Sequence, residues 1–159
     1  MSIDRRGTAP LVADLMAPDP IAIAADAPLS HAARLMDAHR ISGLPVVDGA
    51  GSLVGVISQT DLLRARATEY LWANWRGLLV RHLMTRDVIT VHQSTPIAVA
   101  ARQMERHHVH RLVVVADDDE RLPIGILSTS DLVRSMSEQA DGPTEAVNHL
   151  STTESRPHG

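Results

Sequence analysis

The chain has 159 residues, 44% of them hydrophobic, with no cysteine and a formal net charge of −4. That length gives one compact domain or two small ones with a real core, and with no Phe and a single Tyr the core is aliphatic. The lack of Cys excludes a disulfide frame, a thiolate nucleophile and a cysteine zinc site, and fits a cytoplasmic protein; the acidic balance argues against nucleic-acid binding, which needs a basic face.

Met1–Pro10 is polar, without the apolar stretch of a signal peptide, and is read as a flexible N-terminal arm, residues 1–10. No later run approaches the roughly 20 apolar residues of a membrane-spanning helix. A short helical turn is expected at Val12–Met16 and an extended piece at Ile21–Ile23. Pro28 sits in the first turn of a helix at Leu29–His39, with Leu29, Ala32, Ala33 and Met36 on one face. Gly43 breaks the chain before a buried strand at Leu44–Val47. Asp48–Gly51 makes a hairpin turn, and Leu53–Ile57 returns. A helix follows, with Thr60 as its N-cap and Asp61 in its first turn.

Residues 68–81 then read as a helical connector carrying Tyr70, Trp72, Trp75, Leu78 and Leu79. Its Trp pair is expected to cap the core or a dimer interface rather than to stack on a ligand. Beyond it the same elements recur: a helix at Ile97–Arg106, strands at Leu112–Val115 and Ile124–Leu127, and a helix with Ser130 as N-cap and Asp131 in its first turn. Residues 139–159, with little periodicity, are expected to form a disordered tail.

The recurrence is an internal repeat. Gly55–Leu63 reads GVISQTDLL and Gly125–Val133 reads GILSTSDLV. A shift of 68 takes Met16 to Met84, Pro28 to Pro96 and Met36 to Met104; it becomes 70 between Gly55 and Gly125. The two extra residues fall where GAGS is replaced by the acidic DDDERLP, and an exposed turn is the expected place for them. The fold class is therefore α+β, built from two β-α-β-β-α repeats at 11–67 and 82–138 that pack through their sheets, since neither is large enough to be stable alone.

The repeated stretch carries the chemistry. A strand feeding a helix N-terminus, with a hydroxyl and a carboxylate at the junction, suits a polyol and a phosphate. The same residues also make a good helix start with no ligand. His107, His108 and His110 are adjacent at a helix end and do not converge on a metal ion, so no metal site is expected. The run Asp117–Glu120 lacks the spaced oxygen ligands of a calcium loop and is read as a charged turn. No nucleophile, base and orienting group can be placed together, and Asp61 and Asp131 fall in separate clefts, so no catalysis is expected.

The motifs DLM at 14–16, ISGLPVVD at 41–48, GVISQTDL at 55–62, VHRLVVV at 109–115 and GILSTSDL at 125–132 resemble the CBS (cystathionine β-synthase) domain, present as a tandem pair or Bateman module over about residues 10–138. The resemblance implies two repeats packed about a pseudo-twofold axis with two clefts between them, and a free-standing, non-catalytic sensor that binds AMP, ADP, ATP, S-adenosylmethionine or a related adenosine compound. No cofactor is implied; the nucleotide is a regulatory ligand. It further implies a homodimer and an unidentified regulated protein as partners. A ligand-free scaffold is the alternative.

Carried over residue by residue, the resemblance gives a main cleft with Asp131 on the ribose, Ser128 and Ser130 supplying hydroxyls, and His110 and Arg111 on phosphate. Ile41, Ser42 and Gly43 complete it, with Met16 and Ile21 near its base. The second cleft would use Ser58, Thr60 and Asp61 with Met84, Ile89 and Val109. Ser42 and Gly43 stand there in place of His110 and Arg111, so this cleft is expected to hold phosphate less well.

Overall fold

The computed structural model describes residues 9–140. The expectations for residues 1–8 of the arm and 141–159 of the tail lie outside the described residues. In chain order the first half comprises α1 (Val12–Leu15), β1 (Ala17–Pro18), β2 (Ile23–Ala24), α2 (Leu29–His39), β3 (Gly43–Val47), β4 (Leu53–Ser58) and α3 (Gln59–Ala67). The connector holds α4 (Glu69–Ala73) and a 3-10 turn at Trp75–Gly77. The second half comprises α5 (Val80–Leu83), β5 (Thr90–His92), α6 (Ile97–His107), β6 (Arg111–Ala116), β7 (Asp119–Ser128) and α7 (Thr129–Ala140). The α+β repeat read from the sequence is present in both halves.

Two sheets carry the fold. One has the order β2-β3-β4, the other β1-β7-β6-β5. In each, a parallel pair precedes an antiparallel hairpin: Ile23 pairs with Val46 and Gly43 with Ser58, as Val91 pairs with Val114 and Arg111 with Ser128.

The short segments that open each copy cross over. β1 pairs with β7, placing Ala17 opposite Ile126. Thr85 exchanges both backbone hydrogen bonds with Val56 of β4, at 2.8 and 2.9 Å. Val12 donates to Thr95 O at 2.8 Å, and its equivalent Val80 donates to Ala27 O at 2.9 Å. Both side chains are fully buried in the opposite repeat's core: Val12 with Val91, Met104, Leu112 and Leu127, and Val80 with Leu29, Met36, Leu44 and Ile57. Each core is thus completed by the other copy, which is how two units too small to stand alone share one stability.

Three local expectations are corrected. Ala33 is exposed; the buried stripe of α2 is Leu29, Ala32 and Met36, with Leu35 packed at its edge. The two inserted residues do not enlarge the second hairpin's turn. β7 already begins at Asp119, opposite Ala116, and the extra length is absorbed by register shifts on either side of Val115. Pro123 sits opposite Val115 at these shifts, where a residue without a backbone N–H is tolerated.

The third concerns the helix starts. Thr60 and Ser130 are exposed and lie inside α3 and α7; the cap of α3 is Ser58. Its hydroxyl accepts from Asp61 N at 3.2 Å, and Asp61 Oδ2 accepts from Ser58 N at 2.8 Å. Ser128 and Asp131 repeat the pattern at 3.3 and 2.8 Å. The S-x-x-D spacing lets two orphan donors be satisfied reciprocally, and this fixes the start of each helix two residues earlier than a T-D or S-D pair suggests.

In the connector, Trp72 and Trp75 stack with ring centroids 5.3 Å apart and planes 8° from parallel. The Arg66 guanidinium lies 4.3 Å from the Trp72 ring centroid. Leu71 and Leu78 pack on the first core, so the connector covers that repeat.

Candidate ligand clefts

Among the described residues, two cavities lie between the sheets. The larger, about 380 Å³, lies between β1 with the loop after it (Ala17–Ile21), the chain from Arg40 to Gly43, and the β7–α7 junction at Ser128 and Asp131. The smaller, about 200 Å³, takes the equivalent places: Thr85 and Asp87–Ile89, Val109, and Ser58 at the end of β4. Gly43, Pro45, Arg111 and Ile126 line both.

Of the residues expected in the main cleft, Ile21, Ile41, Ser42, Gly43, Arg111, Ser128 and Asp131 are brought together there. Met16 is not on the wall. Its sulfur packs on Gly125, beneath the β1–β7 pair. Ser130 is exposed on the first turn of α7 and lines neither cavity. His110 is separated from Arg111: it is exposed and borders a different, shallow depression with His108, Glu105 and Leu132. Successive residues at a strand's start point to opposite faces, so one of two neighbours faces the cleft and the other faces away. In the second cleft Ser58, Ile89 and Val109 line the wall. Met84 packs on Gly55, Thr60 is exposed, and Asp61 is buried at the cap behind Ser58.

Asp131 is already engaged. Its Oδ2 accepts from the Ser128 amide and hydroxyl at 2.8 and 3.0 Å, and its Oδ1 accepts from Arg134 Nη2 at 2.6 Å. A carboxylate has about four acceptor positions, so room remains on Oδ1 for one further donor, and for two if the largely exposed Arg134 swings away.

Arg111 is the central cation. Its guanidinium donates to the Ser42 hydroxyl on the opposite repeat. The approach is permitted by Gly43, where a Cβ would stand 2.9 Å from Nη1. Among the described residues it has no carboxylate within ion-pair distance, and burial pushes its pKa below the ordinary arginine value because desolvation penalises the charged form.

Sequence reasoning missed Arg40, Asp19 and Asp87. Arg40 ends α2 in the left-handed conformation at φ 54°, as His108 ends α6 at the same φ. Asp19 and Asp87 stand on equivalent cleft walls. The shift of 68 that aligns Met16 with Met84 also aligns these pairs, and applying it position by position would have found them.

The CBS domain profile matches residues 12–68 and 80–138. The chain belongs to the CBS domain family. Among solved structures it is similar to the CBS domain pair of protein MJ0100 in complex with 5′-methylthioadenosine and S-adenosyl-L-methionine, with 31% identity, a TM-score of 0.73, and coverage of 82% of this chain and 98% of that one. It is also similar to CBSX2 in complex with AMP, with 32% identity, a TM-score of 0.71, and coverage of 81% and 97%. A curated relative is the L-aspartate semialdehyde sulfurtransferase of Methanocaldococcus jannaschii, 32% identical over 124 residues, 78% of this chain and 23% of the relative. The chain spans about a quarter of the length of such relatives, so what it shares with them is the CBS pair. Among the described residues no helix is long and apolar enough to cross a membrane.

Proposed function

We propose that the CBS pair is a regulatory module that binds an adenosine-containing ligand, such as AMP, in the cleft between Ala17–Ile21, Arg40–Gly43 and the Ser128–Asp131 junction. The observation that carries this reading is the Arg111 guanidinium, which has no carboxylate partner among the described residues and lines that cleft together with Asp131. A cation and a carboxylate on one wall suit a phosphate and a ribose on one molecule. The cavity of about 380 Å³ falls in the range of roughly 300–1,000 Å³ usual for small-molecule sites. The AMP and S-adenosyl-L-methionine complexes of similar CBS pairs support an adenosine moiety.

In this reading Asp131 accepts a ribose hydroxyl through the free side of Oδ1, Arg111 and Arg40 face phosphate, Ser128 and the α7 N-terminus add donors, and the Ile21, Ile41 and Ile126 side chains enclose the base. The second cleft is smaller and lined by Ser58, Ile89 and Val109, and it takes the same class of ligand more weakly. Ligand binding acts on a regulated partner through shape, with the module a cytoplasmic homodimer. The dimer contact uses Leu63 of α3 and Val133 of α7, equivalent positions that are 66% and 63% exposed.

The test is thermal unfolding against AMP, ADP, ATP, S-adenosylmethionine and NADH. A ligand present at a hundred times its Kd stabilises the folded state by about 2.7 kcal/mol. Unchanged melting with every adenosine compound at millimolar concentration would favour the scaffold reading.

A further inference from the structure

The repeat gives each cleft its own copy of many of its wall elements, but not of its cations. Asp19 is matched by Asp87, Ser128 by Ser58, and Ile41 by Val109. The position of Arg111 is matched by Gly43, and both residues line both cavities. Arg111 therefore reaches the interior as a single cation between two clefts. The main cleft has Arg40 as well; among the described residues the second cleft has no other basic side chain, and Asp87 stands on its wall.

We propose that the two clefts compete for the one Arg111 guanidinium, so that a phosphorylated ligand in the main cleft withdraws the cation from the second and weakens binding of a second phosphorylated ligand there. This rests on the adenosine-ligand reading above and adds a coupling between its two sites. The guanidinium is held by the Ser42 hydroxyl, a neutral acceptor that a phosphate can outbid, and desolvation makes its uncompensated charge costly. A planar fork that grips one phosphate with two parallel bonds has its orientation and its charge committed to that phosphate, so a second phosphate gains less from it. Once it has turned to the main cleft, the charged group left facing a phosphate in the second cleft is Asp87, which repels it. A ligand without phosphate makes no demand on Arg111 and escapes the coupling. The charge of the ligand, not its adenosine, thus sets whether one cleft or two fill.

The experiment isolates the second cleft. Ala17 is exposed and lines only the main cleft, so Ala17→Trp blocks that site from the surface; Ile41→Trp is an independent block. Calorimetry with AMP and with 5′-methylthioadenosine is run on wild type, each blocked protein, and each blocked protein carrying Arg111→Met. The expected result is that the blocked proteins bind AMP at least tenfold more tightly than the second AMP step of wild type. Arg111→Met then removes that gain while leaving 5′-methylthioadenosine affinity at this cleft unchanged. Arg111→Lys, which keeps the charge, restores part of it. The inference is overturned if the blocked proteins bind AMP no better than the wild-type second step, if Arg111→Met leaves that cleft unaffected, or if the second wild-type step equals the first, as a guanidinium bridging two phosphates would give. Absence of binding by either compound to wild type overturns the adenosine reading itself, and the coupling with it.

Discussion

The sulfur of Met16 occupies the space that a side chain on Gly125 would need: a Cβ built there would lie 2.5 Å from Met16 Sδ and 3.0 Å from Ala17 O. Gly55 stands in the same relation to Met84, at 2.7 Å from its sulfur and 2.9 Å from Thr85 O. These glycines let the crossing segments lie flat on the opposite sheet. Gly125→Ala and Gly55→Ala must push a backbone carbonyl as well as a flexible thioether, so each is expected to cost about 1–3 kcal/mol of stability, as overpacking does. Urea unfolding measures it. A loss under about 0.5 kcal/mol at both would show that the crossing is not clamped by close approach.

At Gly43 the nearest atom to an added Cβ is the far end of the Arg111 side chain, at 2.9 Å, and the nearest backbone atom is Ile57 O at 3.5 Å. Gly43→Ala is therefore expected to cost about 1 kcal/mol or less in folding. It should instead move the guanidinium off Ser42 and change AMP affinity while leaving 5′-methylthioadenosine affinity as it was. Equal changes for both ligands would mean that the substitution disturbs the cleft wall and not the cation.

How far the sequence revealed this arrangement depended on the range of the interaction. Pro28 and the spacing of Leu29, Ala32, Ala33 and Met36 placed helix α2 at its observed bounds, because a buried stripe and a start signal suffice, although Pro28 is its N-cap and Ala33 faces out. The first hairpin was legible from its glycines and apolar runs; in the second the acidic run hid a strand that already begins at Asp119. The crossing segments were not: α1 has four residues and β1 two, too few for any period to show which core they enter. Ser58 and Asp61 both stand out in the sequence, yet a cap at Thr60 reads just as well there, because adjacent polar residues obscure which hydroxyl is spaced for reciprocal bonding. Arg111 was legible as a cleft residue through the resemblance to CBS repeats, and it lines both cavities. Its reach across to Ser42 depends on an opening at Gly43 that only the packed repeats create.

The caps themselves are testable. Ser58→Ala and Ser128→Ala each remove a hydroxyl that accepts from the Asp amide and donates to its carboxylate. Loss of such a cap costs about 0.5–2 kcal/mol. The two losses should be similar, since the geometries match within 0.1 Å. Chemical denaturation of the two variants checks this; a loss at only one position would show that the repeats do not share the cap's energetics.

Association is tested at the surface of α3 and α7. Leu63→Glu with Val133→Glu replaces two exposed apolar side chains and should change folding stability by no more than about 0.5 kcal/mol each. If these helices meet in a homodimer, sedimentation equilibrium will show dimer dissociation at least tenfold stronger in the double variant. A wild type that sediments as a monomer at tens of micromolar removes the dimer from the proposal.

The final prediction separates the two roles of Asp131. Its carboxylate caps α7 through Oδ2, pairs with Arg134 through Oδ1, and in the proposed function also accepts a ribose hydroxyl. Asp131→Asn keeps an oxygen for the cap and loses the charge. The folding cost has two small parts: the interaction with the helix N-terminus, about 0.3–1 kcal/mol, and an ion pair to an arginine that is 60% exposed, worth about 1 kcal/mol at most. The cost to binding has a different origin. A hydrogen bond to a charged acceptor is worth about 1.5–3 kcal/mol against about 0.5–1.5 for a neutral pair. With the single amide oxygen kept on the cap, Nδ2 faces the ribose and cannot accept its hydroxyl, so the charged bond is lost outright and affinity falls by about 1.5–3 kcal/mol, roughly tenfold or more. Asp61→Asn is the matched control. It loses the same cap charge and a longer contact to Arg64, at 3.3 Å, so its folding cost should be equal or smaller, while binding in the main cleft is untouched. Calorimetry on folded protein, with stability measured separately, reads both quantities. If Asp131→Asn and Asp61→Asn lose similar stability and neither changes main-cleft affinity, Asp131 is a helix cap and the ribose must be held elsewhere.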